Sequence, residues 1–94
     1  MSKQFVLVVY DISNDKRRTK LHNVLLNHGT PVQYSVFECL LDAEGLKRMK
    51  RATLKVIKPK VDRVRYYYLC RGCLGKTEVT SGVEVLSEPE VIVV

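Results

Sequence analysis

The chain opens on a block of apolar residues. Residues 5–10 read FVLVVY, apolar at every position rather than at alternate ones. So short a β-branched and aromatic run predicts a strand covered on both faces, at the centre of a sheet. Asp11 ends it, and Ser13, Asn14 and Asp15 offer successive helix caps. Leu21, Val24, Leu25 and His28 then recur at helical spacing, and Gly29 stands where such a helix would stop. Pro31 introduces residues 32–41 (VQYSVFECLL), whose alternation predicts a half-buried strand with a break or bulge near Phe37–Glu38.

The second half repeats the alternation of types. Asp42, Ala43 and Glu44 form a helix start, after which Leu46, Met49, Thr53, Leu54 and Ile57 mark one helix face, and Pro59 stops the element. Residues 63–70 (RVRYYYLC) read as a strand. Tyr66, Tyr67 and Tyr68 cannot all share a face, because strand side chains alternate, so core packing or an interface suits them better than base stacking. Residues 77–80 and 82–86 are weaker strand candidates, and the chain closes on VIVV at 91–94. The pattern predicts an α+β, ferredoxin-like βαββαβ sandwich in one domain spanning 1–94. Two helices would lie on one face of an antiparallel sheet, with the fourth strand drawn from 77–86. The terminal VIVV is then an extra strand, best paired with the open sheet edge of a partner subunit in a homodimer.

Composition narrows the class. With 94 residues, 46% hydrophobic and 28% charged, the chain suits one modest core and excludes a disordered or collagen-like protein. No stretch reaches the roughly 20 apolar residues of a membrane span. The initial apolar run is too short for a secretory signal, so a cytoplasmic setting and no membrane are expected. Cys70 and Cys73 form one C-x-x-C, with Cys39 far upstream. A zinc site needs four Cys or His ligands, and His22 and His28 lie far from Cys70 in sequence, so the cysteines read as reduced thiols. The two histidines read as surface or helix-end residues.

Charge is distributed unevenly. The net charge is +6, and residues 47–65 carry nine basic residues against the single acid Asp62. A solvated helix face mixes signs at i,i+4 spacing, whereas Lys47, Arg48, Lys50 and Arg51 offer one sign, which suits a nucleic-acid backbone. Arg17, Arg18 and Lys20 crowd the first turns of the first helix, where the macrodipole disfavours cations, so helix stability does not explain them. Asp11 is the candidate for chemistry. A carboxylate ending a central strand is either a local turn residue or a hard-oxygen ligand for a divalent cation such as Mg²⁺. One carboxylate makes a poor metal site, and two copies of Asp11 across a two-fold axis make a plausible one. No Ser-His-Asp or Cys-His set and no glycine-rich phosphate loop is present. A ferredoxin-like small-molecule regulatory domain is the outside alternative, and the charge distribution argues against it.

Several segments carry a resemblance. YDIS at 10–13, KRRTKL at 16–21 and especially G-x-P-VQYSVFEC at 29–39 are similar to the family of CRISPR-associated protein two, the small subunit of the spacer-acquisition machinery. RVRYYYLC with the following RGC, and the terminal VIVV, resemble its later strands. The resemblance implies a symmetric homodimer and a metal-dependent endonuclease acting on RNA or double-stranded DNA. It places the metal position and catalysis at Tyr10 and Asp11, with the basic Arg17, Arg18 and Lys20 binding the nucleic acid and Phe37 beside the site. It equally implies a non-catalytic adaptor that binds duplex DNA and bridges subunits of the CRISPR integrase. Many members carry Arg immediately before the V-Q pair where this chain has Pro31, so any role of that Arg is missing here or supplied elsewhere.

Overall fold

The computed structural model describes residues 3–76 and 78. Its elements run β1 (Gln4–Asp11), α1 (Asp15–Leu26), β2 (Gly29–Gln33), β3 (Val36–Leu41), α2 (Ala43–Val56), β4 (Arg63–Leu69) and the short α3 (Arg71–Gly75). The four strands form one sheet in the order β2-β3-β1-β4, every neighbouring pair antiparallel. This is the expected α+β, ferredoxin-like βαββαβ arrangement, with the apolar β1 in the interior of the sheet.

The fourth strand comes from a different place than the sequence pattern suggested. Residues 29–41 make two strands rather than one, joined through Tyr34 and Ser35. Ser35 takes a positive φ of 65°, and its carbonyl accepts a hydrogen bond from the Tyr10 N–H at 3.1 Å, so the reversal is anchored to β1. The break thus falls ahead of Phe37–Glu38, and a smaller register shift sits between Pro31 and Gln33. Pro31 is tolerated because β2 is an edge strand, where a missing donor costs little. The expected strand at 77–86 (Glu78 apart) and the terminal strand at 91–94 lie outside the described residues.

Gly29 also has another role than a helix stop. α1 ends at Leu26, and Gly29 begins β2, paired with Cys39. A Cβ at Gly29 would stand 2.5 Å from both the Cys39 Sγ and the Glu38 carbonyl oxygen. Close approach of β2 to β3, rather than helix capping, dictates the glycine there.

The core lies between one sheet face and the helices. Val6, Val8 and Tyr10 of β1 and Phe37 and Cys39 of β3 meet Leu21 and Leu25 of α1 and Met49 of α2. Asn14 caps α1 by accepting from the Arg17 N–H at 2.9 Å, and Asp42 caps α2 by accepting from the Gly45 N–H at 2.7 Å. Gly45, Met49 and Thr53, spaced by four, form the buried stripe of α2, while Leu54 is 62% exposed and turns away from the expected core face. His22 is half-buried rather than a plain surface residue: its ring meets Phe37 edge-on at 5.2 Å. Among the described residues, α1 and α2 pack on one sheet face, and the second sheet face has a smaller cluster of its own. There Phe5 is buried among the half-buried Leu7, Leu40 and Leu69.

Candidate functional site

Alternation along β1 separates the two residues expected to act together. Tyr10 points to the helix-covered face, is only 4% exposed, and packs against Phe37 with ring centroids 6.4 Å apart. Burial pushes its phenol pKa up, a side-chain hydrogen bond with Ser35 opposing the shift. Asp11, one residue on, ends the strand on the open face and is exposed. Tyr10 therefore shapes the strand end from beneath and does not share a surface with the carboxylate. Phe37 is wholly buried and supports Tyr10 and His22 from the core.

Asp11 is paired across the sheet with Arg63, the first residue of β4. Val9 is paired with Arg65 and Leu7 with Tyr67, so β4 lines the open face with Arg63, Arg65 and Tyr67 in succession. Arg65 donates to the Tyr67 hydroxyl at 3.3 Å. No hydrogen bond or ion pair engages the Asp11 carboxylate among the described residues, and Arg63 does not close on it. An uncommitted carboxylate thus shares one sheet face with two arginines, Arg63 opposite it and Arg65 one pair further on. Sequence reading did not assign Arg63 or Arg65 to the site. The R-x-R-x-Y alternation of β4 was the available signal, but only antiparallel pairing with β1 sets it against Asp11.

The arginines of α1 divide their labour. Arg17 donates Nε to Asp62 Oδ2 at 2.7 Å and Nη2 to Asp62 Oδ1 at 3.1 Å. Its charge is committed to a carboxylate that is 1% exposed, on the loop leading into β4. Arg18 donates Nη1 to the Ile12 carbonyl at 2.9 Å and pairs with Asp15, which fixes the segment just beyond Asp11. Arg18 also lines a shallow pocket with Tyr10, His22, Gln33, Tyr34 and Ser35. These contacts supply the reason, invisible in the helix pattern, for cations at a helix N-terminus. Lys20 is exposed.

On α2, Lys47, Arg48 and Arg51 are exposed. Lys50 is drawn back instead, its ammonium 5.2 Å from the centroids of both Tyr66 and Tyr68. Two groups of exposed basic residues therefore stand out, Arg63 and Arg65 on the sheet face of Asp11 and Lys47, Arg48 and Arg51 on the outer surface of α2.

No group of three or more His, Cys, Asp or Glu side chains suited to a metal ion occurs among the described residues. Mg²⁺ is satisfied by one or two carboxylates when water and phosphate oxygens complete its shell. Asp11, exposed and unpaired, fits such an ion as half of a site that a second carboxylate would complete. No helix among the described residues is long and apolar enough to cross a membrane.

Fold and site together define a small ferredoxin-like chain with an acid–arginine strand end and a basic helix. Residues 4–77 match the family described as CRISPR associated protein Cas2. A protein of Chloroflexus aurantiacus named CRISPR-associated endoribonuclease Cas2 3 is 43% identical over 82% of this chain and 83% of its own length. A crystal structure of a hypothetical protein from Thermus thermophilus superposes with a TM-score of 0.77 at 39% identity, covering 93% of this chain and all of the other. A chain of a partial Cas6-RT-Cas1–Cas2 complex superposes with a TM-score of 0.77 at 27% identity, covering 97% of this chain and 99% of its own. The chain belongs to the Cas2 family.

Proposed function

We propose that this chain is a CRISPR-associated endonuclease subunit that hydrolyses phosphodiester bonds of RNA or duplex DNA in spacer acquisition, working as a homodimer with Mg²⁺. The observation that carries the reading is the exposed Asp11, unpaired among the described residues, set against Arg63 with Arg65 one pair further along the same sheet face. That face is half apolar, with Leu7, Val9 and Leu69 only partly covered, and a second copy laid upon it would hide them and bring two Asp11 carboxylates together. The pair would hold the cation, which when bound supplies a more acidic water and neutralises charge on the phosphate. Arg63 and Arg65 bind and orient the scissile strand by charge-assisted hydrogen bonds. Arg18 holds the Ile12 carbonyl and so keeps Asp11 in place, while Arg17 fastens α1 to the loop before β4. Tyr10 and Phe37 act from the core, as a rigid floor for the strand end.

The test compares wild type with Asp11→Asn on RNA and on duplex DNA, with Mg²⁺ and with EDTA. Activity that survives both changes equally would overturn the catalytic reading.

A second reading has its own observation. Lys47, Arg48 and Arg51 lie on the outer surface of α2, and a basic surface of that kind holds duplex DNA without cutting it. The chain would then be an adaptor bridging integrase subunits, in keeping with its similarity to a chain of a Cas1–Cas2-containing assembly. Spacer acquisition that persists in Asp11→Asn and fails on charge reversal of α2 would select this reading.

A further inference from the structure

The C-x-x-C motif has no part in either reading of nucleic-acid chemistry, yet it is assembled. Cys70 directly follows Leu69, which is pinned by its pairing with Phe5. Cys73 lies one turn on, within the short α3, whose end is tied by the Lys76 N–H donating to the Cys73 carbonyl at 3.1 Å. The two Sγ atoms are 3.4 Å apart, and the Cys73 N–H donates to the Cys70 Sγ, also over 3.4 Å. Both residues are exposed. A disulfide bond is about 2.05 Å long, so closure requires the sulfurs to approach by only about 1.4 Å. The third cysteine is held apart: Cys39 is buried in the core, and burial pushes its thiol pKa up to about 11.

We propose that Cys70 and Cys73 form a dithiol–disulfide redox site that exchanges with low-molecular-weight disulfides, Cys70 being the attacking sulfur and Cys73 the resolving one. In the first step the Cys70 thiolate attacks one sulfur of the small disulfide, forming a mixed disulfide and expelling one small thiolate. That thiolate takes the proton of Cys73. The Cys73 sulfur then attacks the Cys70 sulfur and expels the second small thiolate, which is protonated from the proton Cys70 had released to solvent. The protein loses two protons and two electrons, and one small disulfide becomes two small thiols.

The order of attack follows from the geometry. The Cys73 backbone N–H first, and its thiol second, hold the Cys70 thiol below its ordinary range, whereas the contact with Cys70 pushes Cys73 up. The thiolate is the nucleophile, so Cys70 reacts and Cys73 waits within reach. Closure would lock the junction between β4 and α3. The site stands independently of the nuclease and adaptor readings, and failure of either leaves it unaffected.

The experiment equilibrates the full chain with oxidised and reduced glutathione, blocks remaining thiols with N-ethylmaleimide after unfolding, and reads intact mass. Wild type is expected to lose two alkylatable thiols and stay free of inter-chain bridges. After brief exposure to oxidised glutathione, Cys73→Ser is expected to take up a glutathionyl group faster than Cys70→Ser, because residue 73 keeps its backbone N–H on the Cys70 sulfur and the thiolate is the nucleophile. Three alkylatable thiols under oxidising ratios, bridges only between chains, or equal rates of glutathione uptake by the two variants would overturn the proposal. Brief iodoacetamide labelling of the unsubstituted protein tests the same asymmetry by peptide mapping. Cys70 is expected to label first, and equal labelling or Cys73 first would overturn it.

Discussion

Arg17 Nε lies 2.7 Å from Asp62 Oδ2, joining residues 45 positions apart. The second oxygen of Asp62 accepts from Arg17 Nη2, and the Lys58 N–H donates to Oδ2 at 2.8 Å. A side chain that sequence reading assigned to nucleic acid thus closes a fork–fork pair between α1 and the α2–β4 loop. Because β4 starts at Arg63, this pair helps to hold Arg63 opposite Asp11.

That pair makes folding sensitive to acid. Arg17 above all, then the Lys58 N–H, holds the Asp62 carboxyl below its ordinary pKa. A carboxylate depressed on folding adds stability that is complete above its unfolded pKa, about 3.9, and is lost as pH falls through the folded value. Asp62→Asn should therefore be less stable than wild type in urea at pH 7, with the gap shrinking as pH drops below about 4. Arg17→Ala should cost more than Asp62→Asn at neutral pH, since it strands a charged carboxylate. A gap that does not change with pH would contradict the linkage.

Asp11→Asn should leave thermal stability within about 0.5 kcal/mol of wild type, as for an exposed side chain whose partners are solvent. Hydrolysis should fall on the order of 100-fold or more, the scale of losing a group that stabilises transition-state charge. Calorimetric melting and a gel-based cleavage time course check the two halves separately.

Charge reversal of Lys47, Arg48 and Arg51 to Glu should weaken duplex DNA binding at all sequences alike and flatten its dependence on salt. Each lost phosphate contact removes about 0.9 from the slope of log affinity against log salt. Fluorescence anisotropy between about 50 and 200 mM salt reads both quantities. An unchanged slope would take α2 out of the binding surface. Lys50→Ala is expected to affect stability rather than binding, because its ammonium rests on Tyr66 and Tyr68.

Gly29→Ala should destabilise the fold by about 1–3 kcal/mol, the usual cost of forcing atoms into packed space. The new Cβ would meet the Cys39 Sγ and the Glu38 carbonyl oxygen at 2.5 Å, and the backbone oxygen cannot rotate away. Denaturant unfolding checks it, and a neutral result would contradict close β2–β3 approach as the reason for the glycine.

Much of the fold was legible because it rests on local period. The continuous apolar run of β1 announced an interior strand, and the caps Asn14 and Asp42 stood where the pattern required them. The division of residues 29–41 escaped because no glycine or asparagine marks it. Ser35 adopts its positive φ only because its carbonyl is held by the Tyr10 N–H on another strand. Leu54 was misread for a related reason, since a helical face is defined only once its partner is in place.

Sequence by itself determined which residues were chemically capable and where the local elements began: the acid at the end of β1, the excess of cations, the interior strand and the two capped helices. Side-chain type and short-range periodicity are properties of neighbours along the chain. Tertiary structure alone decided how those residues are used. It turned Tyr10 inward and Asp11 outward, committed Arg17 to Asp62, and brought Arg63 and Arg65 from more than fifty positions away to the carboxylate's side. Such pairings depend on antiparallel register and on which face the helices cover, and both are set by burial of the shared core rather than by any local signal.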